Sequence, residues 1–89
     1  MNAPARWERL LGVSSRRCLA HLRQLWVRRP EGQTFVAATF DGFVNDAGVP
    51  RSAVRRSLDQ LIEVALIESA GSVRSGSRGH PRNAFRVLE

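Results

Sequence analysis

Apolar residues recur along this chain at two different periods, and the switches between them mark out its elements. Trp7, Leu10 and Leu11 fall at i, i+3 and i+4 over residues 5–11, which predicts a short amphipathic helix halted at Gly12. Ser14 or Ser15 is placed to cap the next helix, expected over 16–28. Its residues Cys18, Leu19, Leu22, Leu25 and Trp26 keep the helical period, while Arg16, Arg17, Arg23 and Gln24 take the other face. Pro30-Glu31-Gly32 ends it, because proline drives its predecessor out of helical geometry and glycine turns freely. Thr34-Phe35-Val36 is β-prone and long enough for one small strand. Thr39 reads as the N-cap of a short helix with Phe40, Phe43, Val44 and Ala47 as its apolar stripe, Asp41 complementing its dipole and Gly48 ending it. Gly42 inside that helix is unfavourable by ~1 kcal/mol against alanine, so the element must lean on tertiary contacts.

Val49-Pro50 makes a corner, and the clearest helical period follows over 51–65, with Val54, Leu58, Leu61, Ile62 and Ala65 expected in the core. Ser52, Arg56, Asp59 and Glu63 lie opposite, flanked by Arg51 and Arg55. The pattern then changes to a strand over 66–69, a Gly- and Ser-rich turn over 71–79, and a strand over 84–88 that puts Phe85 and Val87 on one face and Arg86 on the other. These elements predict an α+β chain with a three-helix core, a C-terminal β-hairpin and a short N-terminal helical extension. The expected division is 1–13 for the extension and 14–89 for the domain, with no internal repeat or linker.

Composition narrows the function classes. With 89 residues, 43% hydrophobic and 25% charged, the chain has room for one thin-cored domain and is too apolar for wholesale disorder. Its apolar runs fall far short of the ~20 residues that cross a bilayer. The N-terminal stretch lacks a secretory pattern, so a cytoplasmic location and no membrane association are expected. A single cysteine, Cys18, excludes an intramolecular disulfide and a cysteine-based zinc site. The net charge is +6 and all 14 basic residues are arginine. GC-rich codon usage explains the choice of arginine over lysine but not the excess over acids, which points to a polyanionic partner.

The order of elements, and the stretch from Phe43 to Leu61 in particular, resembles the winged helix-turn-helix family. The match includes Gly48 at the turn, Val49 after it, Ser52 with the pair Arg55-Arg56 on the second helix, and leucines at that helix's end. Leu66-Ile67-Glu68 is similar to the family's first wing strand, and 83–87 to the returning strand of winged-helix modules in phage and plasmid replication proteins and small bacterial transcription regulators. The resemblance covers 14–88. It departs from the family at Ala65, where a glycine is usual between recognition helix and strand, which affects how the wing leaves the helix.

A helix fits the DNA major groove, and the side chains that reach base edges are those near its N-terminus on the face turned from the core. Here they are Arg51, Ser52, Arg55 and Arg56, with Ser52 and the first-turn N–H groups suited to a phosphate. Asp59 is expected to pair with Arg55 or Arg56 at helical spacing. The wing, expected between Ser72 and Arg82, carries Arg74, Arg78, His80 and Arg82, and no acid lies between Ser69 and Leu88. Such a loop suits phosphates or the minor groove.

The expected partner is therefore double-stranded DNA bound sequence-specifically, in transcription regulation or as a replication or accessory factor of a mobile element. A winged-helix protein–protein interaction module is the alternative, which calls for an exposed apolar patch on the third helix. Charge alone also leaves RNA and single strands open. A homodimer through Trp7, Leu10 and Leu11 stands beside simple capping of the monomer core by Trp7. Cys18 and His21, three apart on a helix, read as a buried cysteine beside a satisfied histidine rather than as half a metal site. No catalytic constellation, metal or cofactor is expected.

Overall fold

A computed structural model describes residues 11–73 and 82–88. Within them lie three helices, α1 (Val13–Arg28), α2 (Phe40–Asn45) and α3 (Arg51–Glu63), and three strands, β1 (Val36–Ala38), β2 (Ile67–Val73) and β3 (Arg82–Val87). The strands form one antiparallel sheet in the order β1-β3-β2. The arrangement is α+β, as expected. Among the described residues no helix is long and apolar enough to cross a membrane.

Helix α1 starts three residues earlier than the serine caps predict, with Gly12 at its N-cap and no side-chain cap. Ser15 is instead buried and donates to Gln60 Oε1 of α3, so it ties two helices together. A local reading of the serines could not anticipate this, because 45 residues separate the partners. At the other end Arg29 takes the extended backbone that Pro30 demands. Its guanidinium lies 3.7 Å from the Trp26 ring centroid and donates to the carbonyls of Trp26 and Gln33, which clamps the helix end.

Strand β1 lies two residues beyond the predicted Thr34–Val36. Its register pairs Val36 with Phe85 and Ala38 with Asn83, and Val36 and Ala38 are the buried positions. Pairing with the central strand outweighed the local β-propensity of Thr34 and Phe35. Thr39 caps α2 as expected, its Oγ1 accepting the Gly42 N–H at 2.9 Å. Gly42 has a steric reason here: a Cβ at this position would lie 3.0 Å from that capping hydroxyl and 3.5 Å from His21 Nε2. Gly48, at φ +69°, turns the chain so that the Val49 N–H reaches the Phe43 carbonyl at 3.0 Å.

Helix α3 buries Val54, Ser57, Leu58 and Leu61. Ile62 and Ala65, both expected in the core, are exposed. The helix is turned toward α1, where Ser57 meets the Cys18 thiol, and apolar periodicity carries no sign of that polar pairing. The helix ends at Glu63 in a Schellman motif: the Ala65 N–H bonds Ile62 O and the Leu66 N–H bonds Leu61 O, both at 3.0 Å, with Ala65 in the left-handed region at φ +60°. The chain thus leaves α3 through the backbone shape a glycine would give.

Strand β2 runs on to Val73, into the first residues of the stretch expected to turn. Ile67, Glu68 and Ser69 pair with Val87, Arg86 and Phe85, then Ser72 and Val73 pair with Asn83 and Arg82. Two residues, Ala70 and Gly71, therefore oppose Ala84 alone, a β-bulge made possible by Gly71 at φ +93°. The core gathers α1 (Cys18, Leu19, Leu22), α2 (Phe43), α3 and the inner sheet face (Val36, Phe85, Val87). Leu11, expected to serve a dimer contact, is itself buried in this core. It is committed within the chain. Trp7 and Leu10 lie outside the described residues.

Candidate nucleic-acid interface

The exposed side of α3 is built by the same period that builds its core. With Val54, Ser57, Leu58 and Leu61 inward, Ser52, Arg56, Asp59 and Glu63 point directly away, and Arg51, Arg55 and Ile62 line the side toward the sheet. All seven are exposed. The four residues expected near the N-terminus, Arg51, Ser52, Arg55 and Arg56, therefore do share one surface.

They are not equivalent. Arg51 Nη2 is 3.0 Å from Asp41 Oδ1, and its guanidinium carbon lies 5.2 Å from the Phe40 ring centroid. The pair is mostly in water, with side chains 69% and 72% exposed. It orients Arg51 more than it stabilises the fold. Among the described residues neither Arg55 nor Arg56 makes an ion pair, and the pairing of either with Asp59, expected from helical spacing, does not form. Both guanidinium groups are exposed.

The start of α3 has no side-chain cap and no acid in its first turn; Pro50 is the N-cap residue, and the Ala53 N–H bonds Pro50 O at 2.8 Å. The positive end of the helix dipole is thus uncompensated locally. A further contributor has no signal in the sequence. Arg17 of α1 donates from Nη1 to Gly48 O at 2.9 Å, which fastens α1 to the turn just before α3 and leaves an exposed cation beside it. Nothing local distinguishes Arg17 from Arg16, because its partner is 31 residues away.

Of the wing residues, Arg74, Arg78 and His80 lie outside the described residues. Arg82 is exposed and sits in β3 opposite Val73, so both ends of the stretch expected as a wing, Ser72 and Arg82, are paired in the sheet. Strand alternation puts Arg82 on the sheet face opposite Asn83 and Phe85. Arg86, on the same face as Arg82, is paired with Glu68 across the strands.

Between α3 and the sheet runs a groove whose wall includes Phe40, Leu58, Ile62 and Phe85, with Arg55, Asp59, Ser69 and Asn83 at polar positions along it. Phe40 and Ile62 are 41% and 38% exposed. An apolar strip therefore adjoins the basic surface, where helical period alone places Ile62 in the core.

Cys18 is fully buried, and that burial raises its thiol pKa from 9.0 to about 11 against the opposing effect of a hydrogen bond with Ser57. His21 stands edge-on to Phe43 with ring centroids 5.2 Å apart. Both are packing residues in this setting. Among the described residues no group of three or more metal-ligating side chains converges.

No family model matches the chain, and no curated protein matches it as a relative.

Proposed function

We propose that this protein is a winged helix-turn-helix domain that binds double-stranded DNA sequence-selectively, with α3 in the major groove and the β2–β3 hairpin on phosphates or in the minor groove. The observation that carries the reading is the surface of α3. Arg55 and Arg56 project from its first two turns without ion-pair partners among the described residues, beside an uncapped N-terminus and Ser52. Arginine's planar fork matches the O6 and N7 acceptors of guanine, and the uncapped positive end of α3 suits a phosphate. The chain order α1-β1-α2-α3-β2-β3 and sheet order β1-β3-β2 agree with that family's layout. The corresponding role is a small transcription regulator, or a replication or accessory factor of a mobile element.

A salt-titrated gel shift on duplexes selected from random DNA tests the reading. The double variant Arg55→Ala, Arg56→Ala should lose selective binding while its circular dichroism spectrum stays unchanged. Retained affinity would refute the assignment. A palindromic consensus would identify a two-fold dimer on DNA.

One observation favours a second reading. Phe40 and Ile62 expose apolar surface beside α3, as a winged-helix protein-interaction module requires. Under that reading Ile62→Asp abolishes partner binding and duplex DNA is bound weakly and without sequence preference.

A further inference from the structure

We infer that Arg17 of α1 grips a backbone phosphate beside the groove that α3 enters, and that the Gly48 carbonyl holds it in place for this contact. The inference rests on the DNA-binding reading, from which the identity of the occupant comes, and adds to it a contact made from outside α3 and the hairpin. Arg17 Nη1 donates to Gly48 O at 2.9 Å across 31 residues of sequence. Gly48 stands at φ +69°, and a Cβ on it would lie 3.5 Å from Nη1, so the guanidinium rests against the turn itself. A guanidinium carries five N–H donors, of which this carbonyl engages one. Arg17 is exposed and makes no ion pair among the described residues. Asp46 lines the same shallow hollow, together with His21 and Gln24, but does not pair with it.

Position decides what Arg17 can touch. Its anchor, Gly48, lies three residues before Arg51, where α3 begins. A cation there stands outside the stretch of helix that meets base edges and at the rim of the major groove, where the sugar–phosphate backbone runs. Contacts of that kind fix register and orientation without reading sequence. Because one arm of the fork is already fixed, less side-chain freedom is lost when a phosphate binds than for a fully solvated arginine. Arg16 provides the internal comparison. It precedes Arg17, carries the same charge and is equally open to solvent, but its guanidinium is not bonded to the turn. Long-range attraction treats the two alike, whereas a built contact separates them.

The experiment uses the full chain, the tightest duplex it selects from random DNA, and a second duplex with one reading position changed. Arg17→Gln should weaken binding to both about tenfold, the worth of one hydrogen bond to a charged group. The slope of log affinity against log salt should become shallower by about 0.9, with the preference between the two duplexes kept. Arg16→Gln should cost about twofold at most, the share that long-range charge supplies. Arg17→Lys should keep the salt slope and recover part of the affinity, because an ammonium carries the charge but lacks the fork that joins carbonyl and phosphate. Circular dichroism checks the fold of each variant, and Arg17→Lys carries the test if Arg17→Gln does not fold. The inference is overturned if Arg17→Gln keeps the wild-type affinity and slope, or if Arg16→Gln matches its loss. It is also overturned if the loss comes with an altered base preference and an unchanged slope, which would make Arg17 a brace for α3 alone. Failure of the wild-type protein to select any duplex overturns the DNA-binding reading itself, so the two failures are distinguishable.

Discussion

Ala65→Gly should stabilise the protein, although it deletes a methyl group from a folded chain. Ala65 occupies the C′ position of the Schellman motif that ends α3, at φ +60°. An L-residue with a Cβ costs about 1–2 kcal/mol in that region, and glycine does not. Glycine's larger freedom in the unfolded chain returns about 0.4–1 kcal/mol of this. Ala65 is exposed, so little packing goes with its Cβ. The net expectation is a gain of about 0.5–1 kcal/mol, which for a domain of this size raises Tm by about 2–8 °C. Thermal unfolding followed by far-ultraviolet circular dichroism measures it. Ala65→Val, adding a β-branch in the same backbone, should lower Tm. An unchanged or lower Tm for Ala65→Gly would show that the chain does not leave α3 through a left-handed residue, and the path into β2 would need another explanation.

Arg51→Ala should weaken DNA binding less than Arg55→Ala, because Asp41 already competes for Arg51; removing a bidentate hydrogen-bond pair to a base costs about 1–3 kcal/mol, read by quantitative gel shift, and the reverse order would contradict the assignment. If roughly six arginines neutralise phosphates, log affinity should fall with log salt at a slope of about −5, and a slope near zero would remove the electrostatic argument. Stability should decline as pH rises from 9 to 11. The Cys18 thiol is raised from 9.0 to about 11 in the fold, so over that window the unfolded chain ionises first and is favoured by doing so. The full effect is about 2–3 kcal/mol. The chain has no lysine or tyrosine to titrate there, so denaturant unfolding of Cys18→Ala should show the decline removed.

Several elements were legible because their signals are local. Thr39 caps α2 through its own third neighbour, Pro30 ends α1 by steric exclusion, and the buried stripe of α3 repeats with the helix itself. The placement of Arg51, Ser52, Arg55 and Arg56 on one surface followed from the same period. The structure departs from the local pattern wherever a distant partner set the outcome. Ser15 left its capping role for Gln60, β1 slid to the register that β3 offers, and Ser57 entered the core in place of Ile62 because Cys18 lies opposite.

Ile62 shows the division most clearly. Its spacing from Leu58 and Leu61 is that of a core residue, and period alone cannot say which side of a broad apolar stripe is covered. Packing of α3 on α1 decides that, and it leaves Ile62 beside Arg55 on the open groove. Arg17 reaches the turn before α3 for the same reason, through a hydrogen bond spanning 31 residues. The chain's amino-acid order determined the elements, the charge and the basic side of α3. Only tertiary packing decided the rotation of that helix, and with it which apolar and charged groups stand together at the surface, because burial is a property of neighbours that periodicity does not encode.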